Sequence, residues 1–276
     1  MAVSWGSLYL PFADRDTLIT CLHETLTGQG FELYDPFGLI PGKAYPQTTR
    51  WFVGPVTESW IRIIGLPEAE VCLALSQFAP CLALELDGTE ALIDVFERGQ
   101  QVDPQDALIP YLREGCTPDQ LTHLLTATSL PSIPIEPSGQ GAFANLPGDV
   151  QSLAGDVDMG KAQQMFDRLS GGLMKKMGQR TGTDSDSMAE AAKDLIGGNA
   201  PDWNSSGGAR LRALMACLTV PGDWREPDFT TLRDAYQLHK RRQRNPNARL
   251  YPGDAEAMTQ VPDALAYTPV YGGKSA

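Results

Sequence analysis

The chain has 276 residues, of which 42% are hydrophobic and 20% charged, and its 34 acidic and 22 basic side chains give a formal net charge of −12. A chain of this length can bury a substantial core, so its stability requires neither disulfides nor a structural metal. It has no apolar run of the roughly 18 residues that a membrane span needs, and its start does not follow the pattern of a signal peptide, so we expect a cytoplasmic protein without a membrane partner.

The acidic excess is concentrated in the first half of the sequence. Residues 1–130 hold 17 acidic and 6 basic side chains, whereas residues 131–276 hold 17 acidic and 16 basic ones. An acidic surface repels nucleic acid and anionic lipid. Any polyanion would therefore have to bind the second half.

Alternating strand and helix patterns predict an acidic α+β domain over residues 1–129. Two segments, SWGSLYLP at 4–11 and SWIRIIGLP at 59–67, begin alike and consist largely of β-forming residues, which is compatible with two βαβ-like units. Between them, an apolar residue at every fourth position predicts an amphipathic helix that ends at Gly28 or Gly30. The leucines that define its apolar face are Leu18, Leu22 and Leu26.

The second half is predicted to be mainly helical and to end in an extended tail. Residues 130–148 are rich in proline and glycine, which predicts a linker. Residues 149–245 carry helical patterns, including a methionine-rich segment at 159–188 that suits core packing or the binding of varied apolar partners. Residues 246–276 contain four prolines and three tyrosines with little periodicity, which predicts an extended arm. The fold class predicted for the whole chain is α+β.

A basic run closes the last predicted helix. Asp228 is placed to cap the start of this helix and Pro246 to end it, so QLHKRRQR forms its last turns. Cations offset the exposed carbonyl groups at a helix C-terminus, but this run holds more of them than that role needs. We therefore predict a partner-binding surface that combines these cations with the tyrosines of the tail: Lys240, Arg241, Arg242, Arg244, Arg249, Tyr251, Tyr267 and Tyr271.

The five cysteines show neither a metal-binding spacing nor a disulfide framework. Three of them lie in apolar patterns, where a reduced cysteine acts as a small hydrophobic residue, so buried and reduced thiols are expected. A disulfide between Cys72 and Cys81 is the nearest alternative, and an intracellular compartment disfavours it.

No local pattern in the sequence predicts a catalytic residue, a metal ligand or a cofactor site. The three histidines have no zinc spacing with one another or with the cysteines, and the pattern H-E-x-x-H fails at Thr27. An acid–base site could be formed only by carboxylates on or beside the predicted hairpin CLALELDGTEALIDVFERG. These are Glu85, Asp87, Asp94 and Glu97, and their alternation with apolar residues is also typical of a solvated sheet face.

These patterns rank three functions. The first is a non-catalytic protein-binding or assembly protein that uses charge-complementary surfaces and a docking tail, and that associates with a protein partner or with itself. The alternative is an enzyme with an acid–base site built from the hairpin carboxylates. The third is weak RNA or DNA binding by the basic run at 240–249, which is not favoured because no second basic patch and no interleaved aromatic residues accompany it.

Overall fold

An antiparallel sheet of eight strands organises the structure. In this computed structural model the described residues are 4–38, 43, 45–126, 201–250 and 253–275. The strand order across the sheet is β2-β8-β3-β4-β1-β5-β6-β7. The strands are β1 (Trp5–Leu10), β2 (Glu32–Leu33), β3 (Gln47–Thr57), β4 (Trp60–Ile64), β5 (Cys81–Asp87), β6 (Glu90–Glu97), β7 (Gln100–Val102) and β8 (Thr268–Lys274).

Seven helices within the described ranges accompany this sheet and confirm the predicted α+β class. They are α1 (Arg15–Gly28), α2 (Ala69–Leu75), α3 (Pro104–Leu108), α4 (Pro118–Thr126), α5 (Ser206–Cys217), α6 (Phe229–Arg244) and α7 (Asp254–Gln260). The predicted linker at 130–148 and the methionine-rich segment at 159–188 lie outside the described residues. The predicted domain boundaries therefore stay predictions.

Helices α1 and α2 cover one face of the sheet. Asp14 caps α1 by accepting a hydrogen bond from the backbone N–H of Thr17 at 3.1 Å, and the helix ends at Gly28 as predicted. The three leucines of its apolar face are fully buried and pack against Trp51, Val53 and the other inward residues of the strands. The spacing of four residues in the sequence thus placed this helix correctly.

The opposite face of the sheet carries two groups of helices. Helices α3, α4 and α5 pack with β5 and parts of β1 and β4 into one apolar cluster, which includes Leu84 and Leu214. Helix α6 and the turn after α7 pack on β3, β4 and β8 into another cluster, which includes Phe52 and Leu232. The segment between α5 and α6, residues 218–228, connects the two groups and forms part of the candidate site.

The two segments that begin with Ser-Trp pair with each other. They form β1 and β4, which are antiparallel neighbours near the middle of the sheet, with Ser7 opposite Ile64 and Leu10 opposite Ile61. β1 and β2 are separated by three strands, so the first segment does not form a parallel βαβ unit. Similar composition in the two segments reflects a similar central environment, in which both faces of a strand are buried.

The C-terminal segment ends in a strand of the same sheet. β8 pairs with β3 from Thr268 to Lys274 and with β2 at Gly272 and Gly273. Val270 and Tyr271 are 1% and 6% exposed. The tail is therefore extended at its end, as predicted, but this part of it is bound within its own chain rather than available for a neighbour.

Candidate functional site

The segment between α5 and α6 is fastened to the central strands by hydrogen bonds from aromatic side chains. The phenol of Tyr9 donates to the carbonyl oxygen of Trp224, and Nε1 of Trp5 donates to the carbonyl oxygen of Arg225 at 3.2 Å. Both donors belong to β1, whose six residues are all buried. This part of the loop is thus positioned by the centre of the sheet.

Arg62 of β4 ties the same loop to the sheet. Its Nε and Nη2 atoms each donate to Oγ of the buried Ser7 at 3.1 Å. Its Nη1 donates to the carbonyl oxygen of Glu226 at 2.8 Å, and its Nη2 also donates to that of Arg225 at 3.0 Å. The guanidinium carbon lies 5.9 Å from the ring centroid of Trp5. Arg62 therefore acts as a fixed connection, since most of its donors already have acceptors.

A cavity of about 80 Å³, here called the loop pocket, lies between this loop and the sheet. The strands β1, β3 and β4 contribute its base, and the loop and the segment before β8 contribute its sides. Its lining mixes aromatic, acidic and small residues: Tyr9, Gly54, Pro55, Thr57, Trp60, Arg62, Val220, Pro221, Asp223, Trp224, Glu226, Asp263 and Tyr267.

The loop pocket has an acidic rim. Asp223, Glu226 and Asp263 are exposed, and Glu226 is paired with Arg225 at 3.2 Å. The carboxylates of Asp223 and Asp263 make no hydrogen bond or ion pair with another side chain in the described part of the chain. Burial raises the pKa of Tyr267; Arg62 lowers this pKa, and the negative charges of Asp263 and Asp223 raise it further. Both carboxylates therefore act electrostatically on the pocket interior.

A cluster of three tryptophans adjoins the loop pocket. Trp5, Trp203 and Trp224 contact one another edge to face, with ring centroids 5.1 to 5.8 Å apart. The guanidinium carbon of Arg225 lies 5.1 Å from the ring centroid of Trp203. Trp203 and Trp224 are partly exposed. The pocket wall thus continues into an aromatic surface that a partner can reach.

The buried phenol of Tyr9 makes the protein less stable as the pH rises into the alkaline range. Burial raises its pKa to about 12, whereas a tyrosine in an unfolded chain ionises near pH 10. The folded state keeps the phenol neutral while the unfolded state loses the proton, so this contribution is complete below pH 10 and is lost as the pH rises towards 12. We expect it to lower the free energy of unfolding by about 1.4 kcal/mol between pH 8 and pH 11.

Urea unfolding of the wild type and of Tyr9→Phe at these two pH values measures this effect. The variant lacks the ionisable phenol, so its stability should fall by about 1.4 kcal/mol less over the same interval. Equal pH dependence of the two proteins would show that Tyr9 does not titrate in the unfolding reaction.

The cations of the predicted partner-binding surface are largely engaged within the chain. Arg241 donates to the carbonyl oxygen of Arg249 and lies 4.0 Å from the carboxylate of Asp254. Nη1 of Arg242 donates to the carbonyl oxygen of Pro246 at 2.8 Å. These contacts fix the chain that follows α6.

Two further cations of the run also have contacts inside the protein. Arg244 donates to the carbonyl oxygen of Phe37, and Nζ of Lys240 lies 5.6 Å from the ring centroid of Tyr236. Helix α6 begins after its cap Asp228 and ends at Arg244, as its sequence predicts. The cations that exceed the needs of helix capping therefore have structural roles in the chain itself.

The three predicted tyrosines lie in different places. Tyr267 lines the loop pocket, and Tyr271 is buried among Phe37, Phe52 and other aromatic residues. Tyr251 lies outside the described residues. The structure thus brings one predicted residue, Tyr267, to the candidate site and places Tyr271 in the core.

The carboxylates considered for acid–base catalysis lie on two faces of the β5–β6 hairpin. Asp94 lies opposite Ala83 on the face of β5 that also carries Glu85 and Asp87, whereas Glu97 lies on the other face. Burial raises the pKa of Glu85; the Oγ of Ser4 lowers it and the charge of Asp87 raises it again. Asp94 accepts a hydrogen bond from Gln101 at 2.8 Å, and Glu97 is paired with the neighbouring Arg98.

No sequence pattern predicts the loop pocket, because its residues come from distant parts of the chain. The local signal was the segment PGDWREP at 221–227, which combines an aromatic residue with charges of both signs. From the sequence, this segment is predicted only to be a loop that ends the preceding helix. Its contacts with β1 and β4 have no signal in the sequence.

The fold and the loop pocket define a mixed α+β protein with an acidic, aromatic-lined cavity on one sheet face. Comparison with known proteins finds no matching family, no similar curated protein and no similar solved structure. Within the described ranges, no three His, Cys, Asp or Glu side chains are grouped in a way that could hold a metal ion. No helix among the same residues is long and apolar enough to cross a membrane.

Proposed function

We propose that this chain is a non-catalytic protein-binding protein whose loop pocket receives a basic side chain of a partner protein. This proposal rests on one observation: the same cavity is lined by the carboxylates of Asp223 and Asp263, which lack side-chain partners, and by the aromatic side chains of Trp224 and Tyr267. A lysine or arginine side chain has the matching form, because it joins an apolar stem to a positive head.

The composition of the surface supports a protein partner. Tryptophan, tyrosine and arginine are the residues that most often dominate the binding energy of protein interfaces. The loop pocket and the adjoining cluster contain all three types, and Trp203, Trp224 and Arg225 are partly exposed. The rings are held by the sheet, so little conformational entropy is lost when a partner binds.

The charge of the pocket favours a cation over an anion. Arg62 is the basic residue of the lining, and most of its donors are already occupied by Ser7 and by two backbone carbonyl groups. Asp223 and Asp263, the two rim carboxylates without a side-chain partner in the described part of the chain, can attract a positive group. The net charge of −12 for the whole chain adds long-range attraction for a basic partner.

The proposed binding surface does not include the basic run at 240–249. Most cations of that run contact backbone or aromatic groups of their own chain, and β8 occupies a place in the sheet. When a partner binds the loop pocket, the cations of the run keep their contacts and β8 stays in the sheet.

Calorimetric titration with the peptide acetyl-Gly-Arg-Gly-amide tests this proposal. We expect saturable binding that weakens as salt is raised, because exposed charges are screened. Replacing the rim charges in Asp223→Asn plus Asp263→Asn should weaken binding by about tenfold or more. The uncharged peptide acetyl-Gly-Gln-Gly-amide should show no saturable binding to the wild type.

A matched variant separates the pocket from the general acidity of the chain. Asp16→Asn plus Glu24→Gln removes the same two charges from the exposed side of α1, where neither residue touches the loop pocket. This control should bind the arginine peptide almost as well as the wild type. Equal affinity of the pocket variant and the wild type would refute the proposed site.

A further inference from the structure

Two cysteines from distant parts of the sequence lie close together at the end of α5. Leu112 and Leu218 form an isolated β-bridge, and the backbone N–H of Arg113 donates to the carbonyl oxygen of Cys217 at 2.8 Å. A turn then brings Cys116 back, since its N–H donates to the carbonyl oxygen of Arg113 at 3.0 Å. The backbone therefore holds residues 113–116 against the end of α5.

The side chain of Arg113 reinforces this approach. Its Nε donates to the carbonyl oxygen of Leu218 at 2.5 Å, and its Nη2 donates to that of Val220 at 2.7 Å. With the backbone contacts, these bonds hold the strand-like segments around Cys116 and Cys217 in one arrangement.

Both thiols are accessible, since Cys116 and Cys217 are each partly exposed. Burial and the interaction with Cys116 together raise the pKa of Cys217 to about 11. Cys217 therefore keeps its proton at neutral pH, so it acts as the second thiol, which resolves a mixed disulfide.

We propose that Cys116 and Cys217 are a reversible oxidation site that forms an intramolecular disulfide. This inference is independent of the proposed function, because it requires no partner protein. It also differs from a disulfide between Cys72 and Cys81. Those two thiols also interact, since the presence of Cys72 raises the pKa of Cys81, but both are completely buried, so an oxidant in solution cannot reach them.

The oxidant is a small-molecule disulfide such as oxidised glutathione. The thiolate of Cys116 attacks one sulfur of the oxidant, which forms a mixed disulfide and releases one glutathione thiolate. Cys217 then gives up its proton and attacks the sulfur of Cys116, which forms the protein disulfide and releases the second glutathione. Two protein thiols lose two electrons and two protons, and one small disulfide becomes two thiols.

The cross-link would close a large loop. The two cysteines are about 100 residues apart in the sequence. Closing a loop of this length restricts the unfolded chain more than the folded one, whose backbone already holds the two cysteines near each other. Oxidation should therefore raise the melting temperature by on the order of 10 °C. It would also fix the start of the loop that lines the pocket.

The test is peptide mapping of the native full-length protein after incubation with excess oxidised glutathione. The protein is then denatured without reduction, its remaining thiols are blocked with N-ethylmaleimide, and it is digested with trypsin. The expected product links the peptides 114–161 and 213–225, which contain Cys116 and Cys217. Peptides that contain Cys21, Cys72 and Cys81 should carry N-ethylmaleimide and no disulfide.

Single variants and melting temperatures complete the test. Cys116→Ser and Cys217→Ser should lose the linked product and the temperature shift, whereas the control Cys21→Ser should keep both. Three outcomes would overturn the proposal: no linked peptide in the wild type, a disulfide that involves another cysteine, or a stable glutathione adduct on Cys116 that never passes to Cys217. Linked peptides without a rise in melting temperature would overturn the stabilising role assigned to the cross-link.

Discussion

Deleting residues 268–276 is expected to unfold the protein rather than to release a free arm. The deletion removes β8, which pairs with β3 along its whole length and with β2 at its end. It also exposes the apolar surfaces that cover Val270 and Tyr271. We expect a loss of more than about 5 kcal/mol in the free energy of unfolding, comparable with the total stability of many domains.

A point substitution gives the same information in a complete chain. Val270→Asp places a carboxylate where the side chain is 1% exposed, so it should cost about 3–5 kcal/mol. The matched change Val56→Asp, on a residue of β3 that is 43% exposed, should cost less than about 1 kcal/mol. Urea unfolding followed by circular dichroism measures both. A truncated chain that keeps the wild-type spectrum and unfolding midpoint would show that β8 is not part of the sheet.

Arg62→Ala is expected to give the second large effect, a loss of about 3 kcal/mol in the free energy of unfolding. Its guanidinium supplies four hydrogen bonds, two of them to the buried Ser7 and two to the loop. Truncation removes both bonds to the buried Ser7 Oγ and the bond to the carbonyl oxygen of Glu226, and it leaves the carbonyl oxygen of Arg225 with Nε1 of Trp5 as its remaining side-chain donor. The cost of such unsatisfied groups is what makes the loss large.

The controls for this variant distinguish geometry from charge. Arg62→Lys keeps the positive charge but lacks the planar group that reaches several acceptors, so it should recover only a part of the loss. Arg98→Ala changes a side chain that is 89% exposed and should alter stability by less than about 0.5 kcal/mol. A stability of Arg62→Ala within 0.5 kcal/mol of the wild type would contradict the role of Arg62 as the anchor of the loop.

Local signals in the sequence predicted the elements that depend on local physics. The leucine spacing of α1 and the cap Asp228 of α6 each act within one or two helical turns. The hairpin of β5 and β6 turns at Gly88, where a positive φ of 56° suits glycine. These interactions join residues that are close in the sequence, so their pattern is visible there.

The sequence pattern concealed β8 because its environment comes from distant residues. A side chain at Gly272 would approach Leu26 and Phe31, and one at Gly273 would overlap the ring of Tyr45. Tertiary packing therefore requires glycine at both positions. In the sequence alone, the segment TPVYGG at 268–273 resembles a flexible arm. A strand buried on both faces also lacks the alternation that marks a half-buried strand.

The candidate site was hidden for the same reason. Its base comes from β1, β3 and β4, and its rim comes from residues more than 150 positions later. No fixed spacing relates Arg62 to Asp223 or Asp263, so a motif search has nothing to detect. The basic run was visible because its charges are consecutive, but most of its contacts are with its own chain.

The most direct test of the loop pocket as a binding site is nuclear magnetic resonance of the tryptophan indole N–H groups during titration with acetyl-Gly-Arg-Gly-amide. Trp60 and Trp224 line the pocket, whereas Trp51 lies on the opposite face and donates to the carbonyl oxygen of Leu66 at 3.1 Å. We predict saturable shifts of the Trp60 and Trp224 signals, no shift of the Trp51 signal, and loss of the response in Asp223→Asn plus Asp263→Asn. Unchanged Trp60 and Trp224 signals, or equal shifts in that variant, would contradict the proposed binding of a basic side chain.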